Sequence, residues 1–206
     1  ELRTPISVIK ANSETLLSTK LIKDENAINF TKAIQSQSER MATIVNELLS
    51  ISSMESGDYP ISLDKLNIKN IVDSAIKELN PMTESRNIKL VNKISDITHI
   101  IGDESAIKII ISNYITNAIK HSPDGETIEI DNEKIDKDFC RIKVVDNGIG
   151  IAKKYRERVF ERFFRVDKGR SKKIGGTGLG LSISKNLALM MGCLLYTSDA
   201  ADDTDS

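Results

Sequence analysis

Tryptophan is missing from these 206 residues, and aromatic side chains make up only 4% of them. Any core must therefore rest on Ile, Leu and Val, packed by shape rather than by ring stacking. Cysteine is almost as scarce. Cys140 and Cys193 are too few and too scattered for a disulfide framework or a zinc site, so a reducing cytosol is the expected compartment. No apolar run approaches the roughly 18 residues of a membrane span. The longest, Ile107 to Ile111, is interrupted by Lys108. An excess of one charge is missing too: the net value is −1, which gives no basic footprint for nucleic acid or anionic lipid. What remains, 39% hydrophobic and 29% charged, is the composition of a globular chain long enough for one large or two small domains.

Both ends read as cut. The chain opens at Glu1 without Met or a signal sequence. The stretch from Cys193 resembles the translation of a sequencing-library transposon adapter, so residues 193–206 are expected to be a scar and are set aside from fold reasoning.

Between the ends the pattern changes once. Leu2, Ile6, Ile9, Ser13 and Leu16 alternate steps of four and three. After a polar break at Thr19 to Asn26, the steps resume at Phe30, Ile34, Gln37, Met41, Ile44, Leu48 and Ile51. That is a seam of 3.5-residue period on two helices, a hairpin over residues 1–57, with Pro5 expected to kink the first helix. One hairpin buries little apolar surface alone, so a homodimeric four-helix bundle is expected. Ser56-Gly57-Asp58-Tyr59-Pro60 reads as the break between domains. Beyond it, over residues 61–192, strands are expected at Ile61–Leu66, Ile88–Ile94, Thr98–Ile101, Thr127–Asn132 and Phe139–Val145. Helices are expected at Ile68–Leu79, closed by Asn80-Pro81, at Glu104–His121 and at Leu179–Met191. Strands mixed with helices, without strict alternation, indicate an α+β fold, an α/β sandwich.

Three segments carry chemistry. Asn113 and Asn117 lie four apart and share a helix face, with Lys120 and His121 one turn on. Amide oxygens suit a hard cation such as Mg²⁺, and Lys120 suits a phosphate, although two amides on an amphipathic helix can also simply face water. Asp146 follows the strand ending Val144-Val145 and precedes Gly148 and Gly150. Its carboxylate can accept from an exocyclic amine such as that of adenine, or belong to an ordinary Asp-Asn-Gly turn. Gly175-Gly176-Thr177-Gly178-Leu179-Gly180-Leu181 precedes a helix and offers N–H groups and a helix N-terminus to phosphate. It lacks the Lys-Ser/Thr that ends a P-loop and does not fit the dinucleotide fingerprint. Between Ile151 and Lys173, Arg156, Arg158, Arg162, Arg165 and Arg170 interleave with Phe160, Phe163 and Phe164. This is either a solvated basic loop or a lid bearing an Arg for the transferring phosphate.

In this order, and behind Glu1-Leu2-Arg3-Thr4-Pro5, these segments resemble the sensor histidine kinases of two-component systems. The resemblance runs from Glu1 to about Gly192. Asn113–Ser122 is similar to the family's N box, Asp146–Gly150 to its G1 box, Phe160–Arg165 to its F box and Gly176–Leu181 to its G2 box. The resemblance implies a dimerisation and phosphoacceptor hairpin followed by an ATP-binding domain of the GHKL type. It implies ATP with Mg²⁺ on Asn117 and Asn113. Nucleotide contacts would come from Lys120, His121, Asp146, Gly148, Gly150, Gly176, Thr177, Gly178, Leu179 and Gly180. Lys120 with Arg162 or Arg165 would neutralise the phosphates. The γ-phosphoryl group would pass to a histidine and then to an Asp of a response-regulator receiver domain.

The acceptor histidine would stand just before Glu1. Glu1 would polarise it, and Thr4 would position the water that dephosphorylates the regulator. Neither His99 nor His121 is expected to replace it. The segment is thus expected to be cytoplasmic, tethered to a bacterial membrane only through upstream segments, and to bind Mg-ATP weakly without transferring phosphate to itself. Other readings are an ATPase of the same nucleotide fold, as in chaperones, mismatch-repair proteins and type II topoisomerases, a kinase for Ser or Thr on a separate protein, or a degenerate ATP-binding module.

Overall fold

The computed structural model describes residues 3–18, 25–95, 98–136, 139–166 and 176–197, the first three by backbone alone. The chain divides into two compact units, residues 1–59 and 60–206.

The first unit is a pair of helices, α1 (Arg3–Ser18) and α2 (Glu25–Ser56). Lys10 pairs with Glu39 at 3.4 Å, and Gln35 Nε2 donates to Glu14 Oε1 at 3.5 Å. Rising numbers on α1 therefore meet falling numbers on α2, and the helices run antiparallel. α1 is continuous through Pro5, which lies in its first described turn, where a missing N–H costs least.

The buried row shares Ile6, Ser13 and Ile51 with the expected seam and departs from it elsewhere. Ile6, Ser13, Thr31, Ser38, Ile51 and Met54 are buried, whereas Ile9, Leu16, Phe30, Ile34, Met41 and Leu48 stay exposed. Hydroxyls tolerate the buried row because each returns its proton to the carbonyl four residues back: Ser13 to Ile9, Thr31 to Ala27 and Ser38 to Ile34. Apart from Ile6 and Ile51, most large side chains of the apolar seam are left outward on the single chain.

The second unit packs helices on sheet. Strands β1 (Asp64–Asn67) and β3 (His99–Gly102) form an antiparallel pair. Strands β2 (Lys89–Asn92), β4 (Thr127–Lys134) and β5 (Cys140–Val145) form a second sheet, with β2 parallel and β5 antiparallel to β4. Helices α3 (Ile68–Glu84), α4 (Glu104–His121) and α5 (Gly180–Met190) complete the unit. Alternation along β4 buries Ile128 and Ile130. They join Ile68, Ile71, Val72 and Ala75 of α3 and Ile107, Ile111, Ile115 and Ile119 of α4 in one core.

Two boundaries move from the expected ones. α3 runs through Asn80-Pro81 to Glu84. Pro81 forfeits one helical hydrogen bond, but continuing the helix buries Thr83 and packs Met82 on the core, and Thr83 Oγ1 donates to Asn80 O. The break comes instead at Asn87, with φ of 52°. β1 begins at Asp64 rather than Ile61, because Ser62 N is spent on Asp103 Oδ2 at 2.9 Å.

Asp103 joins these pieces. Buried ahead of α4, it caps the helix by accepting from Ala106 N at 2.9 Å and also accepts from Ser105 Oγ. The Ser105 hydroxyl, then the Ser62 and Ala106 amides, hold its carboxyl below the usual carboxylate value. Its stabilising effect is accordingly complete above about pH 4 and is lost as pH falls through the lowered native value. Asp103→Ala is expected to cost about 1–2 kcal/mol in urea unfolding at pH 7, with the gap to wild type closing in acid. A gap constant down to pH 2 would show that the ionised carboxylate is not the source.

Candidate active site

The site is assembled on the C-terminal half of α4. Asn113, Asn117 and Lys120 fall along one side of the helix, and the other segments approach that side. Asn113 Nδ2 donates to Gly180 O and to Ser184 Oγ, both at 3.0 Å, so this amide joins α4 to the first turn of α5. A Cβ on Gly180 would stand 3.1 Å from Asn113 Oδ1. Glycine is what lets the helix start press against the amide. Asn117 is half-buried and makes no side-chain hydrogen bond among the described residues. Lys120 Nζ lies 3.7 Å from where a Cβ on Gly176 would be, so ammonium and glycine loop meet.

The Asp146 loop closes on the same helix end. Asp146 Oδ1 accepts from Gly148 N at 2.8 Å. A Cβ on Gly148 would lie 2.5 Å from that oxygen and 3.0 Å from His121 O, so a side chain here would displace the Asp146 carboxylate and crowd the helix end. Asn147 Nδ2 donates to Glu126 Oε2 at 2.9 Å, anchoring the loop to the start of β4. Gly150 has φ of 68° and turns the chain away past exposed Ile149.

The basic segment reaches the glycine loop through its backbone. Phe163, in the left-handed region at φ of 61°, donates its N–H to Gly178 O at 2.8 Å. Gly178, with φ of 75°, stands where a Cβ would come within 3.0 Å of Phe163 Cα. Arg165 Nη1 donates to Gly176 O at 2.9 Å, and Leu179 N donates to Thr177 Oγ1 at 3.2 Å. Cations brace the segment's rings: Arg158 lies 4.4 Å over Phe164, Lys154 4.9 Å over Tyr155, and Lys185 of α5 5.8 Å over Phe160. Arg162 is exposed on the same segment. Glu1, Arg170 and Gly175 lie outside the described residues, and Thr4 is described only as backbone in α1.

Electrostatics tie these groups together. Partial enclosure and then Lys120 hold His121 below the ordinary imidazole value, with Arg165 and Arg86 adding to the effect and Asp146 opposing it. Four charges from four segments thus act on one ring. Two neighbours of the site carried no signal in the sequence. One is Arg86, which reaches α4 from 33 residues away in the chain. The other is Tyr114, whose buried hydroxyl has no hydrogen-bond partner among the described residues and whose phenol is pushed up to about 12 by burial.

No cluster of three His, Cys, Asp or Glu that could hold a metal exists among the described residues. A cation here would depend on amide oxygens, phosphate oxygens and water, a ligand set that suits Mg²⁺. The amide of Asn117 and Oδ1 of Asn113, whose nitrogen is committed to α5, fit that chemistry.

Residues 102–205 match the family of histidine kinase-, DNA gyrase B- and HSP90-like ATPases. Residues 1–57 match the His Kinase A (phospho-acceptor) domain. The first match includes the adapter-like residues set aside above. The sensor-like histidine kinase SenX3 of Mycolicibacterium smegmatis is 35% identical over 189 residues, 91% of this chain and 48% of the relative. The sensor histidine kinase WalK of Bacillus subtilis is 36% identical over 196 residues, 93% of this chain and 32% of the relative. The chain therefore spans half or less of these curated relatives. Full-length ShkA, solved in complex with AMPPNP, superposes with a TM-score of 0.77 at 25% identity, covering 92% of this chain and 39% of that one. Histidine kinase ThkA, solved with the response regulator protein TrrA, shares the fold with a TM-score of 0.67 at 20% identity, covering 97% of this chain and 55% of that one.

Two outcomes check this geometry. Gly178→Ala should cost about 2 kcal/mol in chemical denaturation, from φ strain plus crowding against Phe163. Gly125→Ala, with φ of 83° and open space around it, should cost about 1 kcal/mol, and equal costs would remove the crowding. In an NMR titration, His121 should titrate below 6.5, and Lys120→Met should move it upward. A downward or absent shift would mean that Lys120 does not face the ring.

Proposed function

The chain belongs to the histidine kinase family, and on that premise we propose that its second unit binds ATP at the C-terminal half of α4 for transfer of the γ-phosphoryl group to a histidine. The observation that carries this is the convergence on one helix end of the Lys120 ammonium, the Gly176 loop and the Asp146 loop, with Arg165 bonded to that same loop.

In this reading residues 61–192 form the catalytic domain and residues 1–57 the phosphoacceptor hairpin. Asp146 accepts a hydrogen bond from the adenine amine through the carboxylate lone pairs that Gly148 leaves available. Gly148, Gly150, Gly176, Thr177, Gly178, Leu179 and Gly180 let backbone and helix end come close to the nucleotide. His121 borders the same pocket. Asn117 and Asn113 would hold Mg²⁺, whose chemistry is to neutralise charge on the phosphate oxygens. Lys120 compensates phosphate charge as a point cation. Arg165 is favoured over Arg162 as the arginine for the transferring group, because Arg165 already bonds Gly176 and its charge reaches His121. Glu1 and Thr4 retain their proposed roles beside the acceptor histidine.

The same premise gives the partners. The exposed seam on α1 and α2, from Ile9 to Leu48, is the surface that a second copy would cover in a four-helix bundle. A response regulator's receiver domain is the proposed recipient of the phosphoryl group, as the architecture shared with ThkA supports. No described helix is long and apolar enough to cross a membrane. Membrane attachment would have to come from other parts of the protein, with this segment in the cytoplasm.

Titration with ATP, with and without Mg²⁺, tests the site. Asp146→Ala is expected to weaken ATP at least tenfold whether or not Mg²⁺ is present, a loss of about 1.4 kcal/mol or more. Asn117→Ala should remove the gain in affinity that Mg²⁺ brings while sparing metal-free binding. If both variants bind as wild type does, the site lies elsewhere.

A further inference from the structure

We propose that Arg86 is a positioning residue of the nucleotide site, its guanidinium holding the last turn of α4, and Lys120 with it, where a triphosphate needs them. The proposal rests on the nucleotide reading above.

Arg86 belongs to the turn between α3 and β2, and that turn is tightly knit. Arg86 N donates to Thr83 O at 3.1 Å, Asn87 N to Glu84 O at 3.2 Å and Ile88 N to Thr83 O at 3.1 Å. Gly125 N donates to Arg86 O at 3.0 Å. From this base the side chain forks onto the end of α4. Nη1 donates to Ile119 O, Nη2 to Ser122 O at 2.8 Å, and Nε to Asp124 Oδ1 at 2.8 Å. A helix end leaves its last carbonyls without intrahelical donors. Here Ser122 N serves Ala118 O, while Ile119 and Ser122 are buried where water cannot serve them. Arg86 supplies those donors, and it places a cation at the negative end of the helix.

Lys120 stands between the two clamped residues with its ammonium beside Gly176. A last turn free to fray would let that ammonium drift from the glycine loop. The adenine handle, Asp146, follows the end of β5 and has anchors of its own, its bond to Gly148 and the Asn147–Glu126 bond, so it depends less on the clamp than Lys120 does, although the loop also touches His121 O. Arg86 should therefore matter more for the phosphate end of the ligand than for the base. Lysine cannot replace it, because one ammonium cannot present a planar fork to two carbonyls and a carboxylate.

The experiment uses the full chain with Arg86→Met, Arg86→Lys and Asp124→Ala, titrated with Mg-ATP and separately with adenosine. Arg86→Met should weaken Mg-ATP about tenfold, or ~1.4 kcal/mol, and leave adenosine within about twofold. Arg86→Lys should stay close to Arg86→Met. Asp124→Ala, which removes an exposed carboxylate and leaves both carbonyl bonds, should bind both ligands as wild type does. Amide exchange at Lys120, His121 and Ser122 should quicken about tenfold in both Arg86 variants and stay unchanged at Ile111 to Ile115. Wild-type affinity in both Arg86 variants, an equal loss for adenosine and Mg-ATP, full rescue by lysine, or uniform exchange along α4 would each overturn the proposal. If wild type binds neither ligand, the nucleotide reading fails, and the exchange rates alone then judge whether Arg86 holds the helix end.

Discussion

A helix that ends inside a protein presents carbonyls with no donors and a concentration of negative partial charge. The second unit is organised around one such end, the last turn of α4. Arg86 satisfies Ile119 O and Ser122 O from the α3–β2 turn, and Ser122 N satisfies Ala118 O. His121 O packs against the Asp146 loop, 3.0 Å from where a Cβ on Gly148 would stand. Lys120 projects from the same turn to the glycine loop. The position of this helix end therefore sets the spacing between the carboxylate loop, the ammonium and the loop that precedes α5.

Packing supplies the stiffness. α4 contributes Ile107, Ile111, Ile115 and Ile119 to the core, each worth about 1.5–3 kcal/mol of burial, while its opposite side carries the amides. Asp103 fixes one end of the helix and Arg86 the other, so a rod anchored at both ends carries Asn113 and Asn117 between them. Asn113 spends its amide nitrogen on α5, which makes it as much a strut as a ligand candidate. The basic segment is held differently. Phe163 and Arg165 reach the glycine loop by main-chain acceptors, and cation–π stacks worth about 0.5–1 kcal/mol each at exposed sites brace the aromatic rings.

The first unit follows another rule. Small hydroxyl side chains share the inner row of the α1–α2 pair with Ile6, Ile51 and Met54 and satisfy themselves on their own helices, while Ile9, Leu16, Phe30, Ile34, Met41 and Leu48 stay outside. Such an arrangement reserves its hydrophobic surface for a partner, in keeping with the match to the phospho-acceptor domain.

Local periodicity and residue chemistry determined much of this protein without coordinates. The ends of α4, the strands β4 and β5 and the family were legible because each depends on near neighbours or on motifs that keep their order along the chain. Other features were decided only by the tertiary structure. α3 passes through Pro81 because Met82 and Thr83 gain a core to pack on, and the inner row of the hairpin sets Thr31 and Ser38 beside Ile6, Ser13 and Ile51 while most of the apolar seam faces outward. Arg86 gave no signal at all, since a single arginine among 29 basic residues acquires meaning only when two carbonyls from a distant helix arrive within its reach. Backbone preferences and side-chain periods are written in short windows of sequence, whereas the acceptors a donor will meet depend on how separate windows pack.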